Sequence, residues 1–178
     1  MRRLLLLRHG KADRHSAGGD RERPLTHRGL SDARRVGEHL AHQGLTPELA
    51  VASNAKRARQ TLEQALDAFP EHVPHLVENT IYNATADHLL EILSQSPDRV
   101  ETLLVVGHNP GFAELAIALA GTGEAEALQG LRQKYPTAAL AVLEFPVENW
   151  AQASFGGAKL ASFVIPADLR GEDAEDPE

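Results

Sequence analysis

The sequence contains no cysteine. That excludes a disulfide framework, a cysteine-based zinc site and a cysteine nucleophile, and it suits a reducing, cytoplasmic compartment. No apolar run approaches the roughly 18 residues needed to span a bilayer, so no membrane partner is expected. The leucines at the start number only four and lack a small-residue cleavage site, so they do not read as a signal peptide. Internal repeats and linkers are missing too, and 178 residues then fit one domain, placed at 1–170, with a substantial core. A Gly-rich nucleotide loop of the Walker or dinucleotide type is absent, which argues against ATP or NAD as a ligand.

Charge is present but unevenly spread. Residues 1–60 hold 13 Lys or Arg against 6 Asp or Glu, giving +7, while residues 61–178 hold 5 against 19, giving −14. A basic first third in an acidic chain suggests a local anion site rather than a nucleic-acid partner. Part of the acidic surplus is the segment 171–178, which is expected to be a disordered, solvated tail.

The apolar pattern alternates short runs with helical spacing. Leu4–Leu7 reads as a buried strand opening into a loop at Gly10. Leu49–Ala52 and Thr102–Val106 read as further parallel strands. Ala138–Phe145 and Leu160–Ile165 read as two late strands, and Val73–Val77 as an edge strand because of Pro74. Helices are expected after Thr26 as N-cap, after Ser53-Asn54, over Asp87–Leu93, after Asn109-Pro110, and over Glu124–Leu131. Strands alternating with helices predict an α/β fold with a mainly parallel sheet covered on both faces.

Three of these strands end on chemically suggestive residues: Arg8-His9, Ser53 with Arg57 close behind, and His108. Ligands of parallel α/β sheets sit outside the carboxyl ends of strands, and parallel connections would bring these ends to one edge. Arg8 and Arg57 offer forked, permanently charged donors suited to phosphate oxygens. His9 offers a side chain that can be a neutral nucleophile near pH 7. The helix opening after His108 adds free backbone N–H groups. Arg21 and Arg23, in the loop before the first helix, are candidates to line the phosphate entrance. The pairs His39/His42 and His72/His75 lack a third ligand and read as surface histidines.

Leu6-Leu7-Arg8-His9-Gly10, Ser53-x-x-x-Arg57-Ala58-x-x-Thr61 and Val105-Val106-Gly107-His108-Asn109-Pro110 together resemble the histidine phosphatase superfamily. Arg8-His9-Gly10-Lys11-Ala12, Arg23-Pro24-Leu25-Thr26 and the short length most resemble its SixA-type protein phosphohistidine phosphatases. The resemblance implies a phosphoglycerate mutase-like three-layer sandwich in minimal form, without a large lid insertion. It implies His9 as the nucleophile, with Arg8, Arg57 and His108 binding the phosphoryl oxygens and Asn109 adding a donor. It implies neither a cofactor nor a metal, the positive charge being supplied by the protein.

Larger members carry an acidic proton donor between the second arginine motif and the second histidine. Glu78 is the nearest candidate here, in surroundings that do not match the family pattern. An alkoxide leaving group needs a proton in the transition state, whereas a phosphohistidine imidazole leaves as a neutral ring once its other nitrogen is protonated. The expected activity is thus phosphate removal from phosphohistidine on a partner protein, such as a histidine-phosphotransfer domain. A metabolite phosphatase and a non-catalytic phosphate- or phosphoprotein-binding module are the alternatives.

Overall fold

The computed structural model describes residues 1–171; the acidic segment expected at 171–178 lies, apart from Gly171, outside them. Strand β1 (Arg2–Arg8) is the centre of the molecule. Its four leucines are fully buried, and their alternation divides the core. Leu5 and Leu7 join one apolar cluster and Leu4 and Leu6 another, on opposite faces of the strand. A continuous leucine run is what a strand covered on both sides requires.

All seven strands form one sheet in the order β3-β2-β4-β1-β6-β7-β5. Strands β2 (Leu49–Ala52), β3 (His75–Val77) and β4 (Thr102–Gly107) run parallel to β1 on one side. On the other, β6 (Leu140–Phe145) pairs antiparallel with both β1 and β7 (Ala158–Val164). Strand β5 (Ala120–Gly123) closes that edge, parallel to β7. Only β6 opposes the common direction, so the sheet is mainly parallel, as the alternation of elements predicts.

Helices α1 (His27–His42) and α2 (Lys56–Leu66) cover one face through Val36, Leu40, Ala58, Leu62 and Ala65. Thr26 caps α1 as expected, its side chain accepting from the Gly29 N–H at 3.1 Å. The two helices approach closely at Gly37, where a Cβ would overlap the Ala65 carbonyl. Helices α3 (Ala86–Ser94), α4 (Gly111–Leu119) and α5 (Ala125–Gln133) cover the other face. Trp150 is fully buried there and donates to the Val100 carbonyl at 2.7 Å. A short helix α6 (Pro166–Leu169) returns to α1, where Arg170 pairs with the buried Asp32 at 2.8 Å.

Two local readings are corrected. Strand β5 has the sequence Ala-Gly-Thr-Gly, without apolar alternation, and is not among the expected strands. Ser53 and Asn54 read as cap residues, yet Ala55 is the N-cap of α2 and makes no side-chain cap bond. The Ser53 hydroxyl is used elsewhere.

Candidate functional site

The order β1-β4-β2 places the three suggestive strand ends side by side. The ladder continues one step past each strand, with the His9 N–H donating to the Gly107 carbonyl and the Ser53 N–H to the Val106 carbonyl, both at 3.0 Å. His9, His108 and Ser53 therefore occupy adjacent positions at one edge. The rings of His9 and His108 lie 5.2 Å apart between centroids.

His9 is 7% exposed. Its Nδ1 lies 2.7 Å from the Gly10 carbonyl, which can only accept. The proton therefore sits on Nδ1, and Nε2 carries the lone pair. Burial is the main cause that pushes the His9 pKa down to about 3; the charges of Arg8 and Arg57 and the neighbouring His108 add smaller effects. The ring is thus neutral at physiological pH, and burial is the principal reason.

His108 is fixed by Ser53. The fully buried Ser53 hydroxyl accepts the Ala55 N–H at 3.2 Å and lies 2.7 Å from His108 Nε2. Where the hydroxyl proton is donated to Nε2, the acceptor within its reach, neutral His108 carries its own proton on Nδ1. Burial, and next to it Arg57, lowers the His108 pKa to about 4. A neutral His108 is consequently already a donor, without needing to become an imidazolium.

The arginines are held by backbone carbonyls and by one carboxylate. Arg8 Nη1 donates to the Tyr135 carbonyl at 3.0 Å, and Asn109 Nδ2 donates to the same oxygen at 2.8 Å. Asn109 Oδ1 accepts from the Ala113 N–H at 3.2 Å, in the first turn of α4, whose N-cap is Pro110. Arg57, with a side chain only 6% exposed, donates to the carbonyl of Asp20 at 2.8 Å and to its Oδ2 at 3.1 Å. Thr61 ties the two motifs together: its Oγ1 accepts from the Gly10 N–H at 3.0 Å and donates to the Arg57 carbonyl at 2.7 Å.

After these bonds, three buried nitrogens of the cluster remain without a partner: Arg8 Nε, Arg57 Nε and His108 Nδ1. Buried polar groups are ordinarily satisfied, and two permanent cations with unpaired nitrogens beside two histidines at one sheet edge make this the candidate anion site. The arrangement offers a neutral imidazole lone pair beside groups that stabilise negative charge, the requirement for nucleophilic attack on a phosphoryl group.

Arg21 and Arg23 sit in the loop that reaches Arg57, not directly on the histidines. The Arg21 guanidinium lies 4.4 Å above the Tyr82 ring, and Arg23 Nε pairs with Asp20 Oδ1 at 3.0 Å. The Glu78 carboxylate is turned to its own 3-10 turn, accepting from the Thr80 N–H at 3.2 Å and the Thr80 hydroxyl at 2.8 Å. It is not among the residues brought together. The carboxylate that does reach the cluster is Asp20, on a 3-10 turn over Asp20–Glu22, and it escaped the sequence reading. Tyr82, edge-on to His108 at 5.4 Å, and Tyr135 also escaped it. None of the three stands in a motif, and their partners lie far along the chain. Among the described residues, no group of three or more His, Asp or Glu is placed to hold a metal ion.

Residues 4–81 match the model of the histidine phosphatase superfamily (branch 1). The uncharacterized protein Rv1276c of Mycobacterium tuberculosis is 34% identical over 163 residues, covering 90% of this chain and 99% of that one. Two solved structures assigned as phosphohistidine phosphatase SixA are each 28% identical. The one from Agrobacterium tumefaciens superposes with a TM-score of 0.77 over 93% of this chain and 98% of its own. The one from Nakamurella multipartitia gives 0.81 over 93% and 96%.

Proposed function

The chain belongs to the histidine phosphatase superfamily and is a phosphatase, and on that premise we propose that it removes phosphate from phosphohistidine on a partner protein through a covalent intermediate on His9. The observation that carries this reading is the paired state of the two histidines: His9 keeps a free Nε2 lone pair while Arg8, Arg57 and His108 keep unpaired nitrogens.

In the first step the Nε2 lone pair of His9 forms a bond to phosphorus as the substrate P–N bond breaks. The bonding electrons return to the substrate ring, which leaves as neutral imidazole because its other nitrogen already holds a proton. The Nδ1–H bond to the Gly10 carbonyl supports the positive ring of phospho-His9. Arg8, Arg57 and His108 face the equatorial oxygens, where charge spreads in a loose transition state. Water then attacks phosphorus, the His9–phosphorus bond breaks, and inorganic phosphate departs. The arginines provide the charge stabilisation without a metal ion.

The acid–base inventory supports this substrate class. Asp20 is held ionised, its pKa lowered to about 2 by the Tyr82 hydrogen bond foremost and also by Arg57. It cannot supply a proton to an alkoxide at neutral pH, and Glu78 is occupied by Thr80. A leaving group that needs no proton from the enzyme fits such a site.

Rapid quenching with a histidine-phosphotransfer domain carrying radiolabelled phosphohistidine tests the reading. Label should pass to the enzyme in an acid-labile, base-stable form and should be absent from His9→Ala. A sugar or glycerate phosphate turned over more than tenfold better than the phosphoprotein would overturn the substrate assignment, and an acid-stable label would overturn the intermediate.

A further inference from the structure

One carboxylate stands beside the anion site, and the reaction described above does not use it. Asp20 lies on the loop between β1 and α1, with its side chain 52% exposed, and it meets Arg57, Arg23 and Tyr82 together. Oδ2 accepts from Arg57 at 3.1 Å and from the Tyr82 hydroxyl, while Oδ1 accepts from Arg23 at 3.0 Å. Arg23 is itself anchored on the Asp13 carbonyl at 2.8 Å, and Arg21 covers the Tyr82 ring. The charged groups facing Asp20 are thus Arg57 and Arg23, and one Oδ1 lone pair is still free to accept.

The side on which this carboxylate stands matters. His9 is buried at the end of β1, whereas Asp20 is half exposed. An in-line displacement by His9 sends the leaving group away from the buried ring, and Asp20, half exposed, with Tyr82, edge-on to His108 at 5.4 Å, lies on the open side of the cluster. The Asp20 charge offsets part of the field of Arg57 and Arg23, so relative to a neutral side chain it disfavours a substrate whose non-phosphoryl part is anionic and favours one presenting an N–H or a positive charge.

We propose that Asp20 is the residue that sets charge selectivity at this site, disfavouring phosphate compounds with a second anionic group and favouring those whose leaving group carries a proton-bearing nitrogen. The inference deepens the phosphohistidine reading and rests on it for the identity of the preferred substrate. A ring nitrogen that must hold its proton until the P–N bond breaks gains from a carboxylate nearby, and a phosphoglycerate carboxylate loses.

The full chain and its Asp20→Asn variant, compared on phosphoimidazole, p-nitrophenyl phosphate and 3-phosphoglycerate, test this. Asn keeps the size of the side chain and an oxygen for Arg57 while removing the charge. The ratio of kcat/KM for phosphoimidazole over 3-phosphoglycerate should fall on the order of tenfold, as expected for one charge at a few ångströms in a half-exposed setting. The change should shrink at high salt. Where 3-phosphoglycerate turns over too slowly, its inhibition constant against p-nitrophenyl phosphate serves the same comparison. An equal loss on all three compounds would overturn the proposal and leave Asp20 as a mere support for Arg57. Failure of the wild type to turn over phosphoimidazole would instead count against the phosphohistidine reading. The ratio of p-nitrophenyl phosphate to 3-phosphoglycerate would still decide the role of Asp20.

Discussion

Ser53→Ala is the most informative single change. The hydroxyl is fully buried and has two partners, the Ala55 N–H at 3.2 Å and His108 Nε2 at 2.7 Å. Truncation leaves both without it, and leaving a buried polar group unsatisfied costs about 1–3 kcal/mol. The catalytic consequence is separate from that loss. Without a donor at Nε2, the His108 proton is no longer confined to Nδ1, and the alternative tautomer presents a lone pair to a phosphoryl oxygen. Loss of one charge-assisted hydrogen bond in the transition state, about 1.5–3 kcal/mol, lowers kcat/KM roughly 10- to 150-fold. Steady-state kinetics on p-nitrophenyl phosphate, paired with thermal unfolding by circular dichroism, separates the two effects. Ser53→Cys, which retains a weak donor, should fall between wild type and Ala. A variant that loses stability but keeps kcat/KM within about twofold would refute the assignment of His108 orientation to Ser53.

Three further outcomes follow from the structure. His9 and His108 have pKa values lowered to about 3 and about 4, so the unfolded chain binds more protons than the folded one below about pH 6.5. Stability should therefore rise with pH through that window, and the melting temperature should drop on acidification from 6.5 to 4, less steeply in His9→Asn. Once substrate ionisation is corrected for, kcat/KM should show no enzyme group titrating near 6.5; an acid limb there that vanishes in a His108 variant would contradict the buried neutral pair. Gly37→Ala should lower the urea midpoint by the equivalent of about 1–3 kcal/mol, because the added methyl drives α1 off the Ala65 carbonyl. A neutral or stabilising result, as at an exposed helix position, would show that the two helices can separate at little cost.

Much of this architecture was legible in the chain because it is carried by strong local patterns. The leucine run of β1 and the Thr102–Val106 run of β4 read as buried strands, and Pro74 marked β3 as an edge. The edge on which Arg8, His9, Arg57 and His108 meet followed from parallel connection, although strand order did not. What escaped is of one kind. Asp20 meets Arg57 across 37 positions and Tyr82 across 62, and the Tyr135 carbonyl meets Arg8 across 127. A backbone carbonyl that anchors an arginine has no side-chain signature, and a three-residue 3-10 turn has no periodicity. Ser53 was misread for a related reason: a serine before a helix is usually a cap, and only the neighbouring strand reveals that its hydroxyl faces a histidine.

The position of β1 has a consequence for how the protein can fail. Strand β1 is laddered to β4 on one side and β6 on the other, with helices over both faces. Freeing its backbone requires dismantling the sheet, so the opening free energy at Leu4–Leu7 is that of the whole domain. His9 follows directly on this strand, whereas Asp20 is held by a few side-chain bonds on a surface turn. The molecule thus joins two very different local stabilities within one site. His9 keeps its place as long as the sheet is intact, while Asp20 depends on a turn held by a handful of bonds.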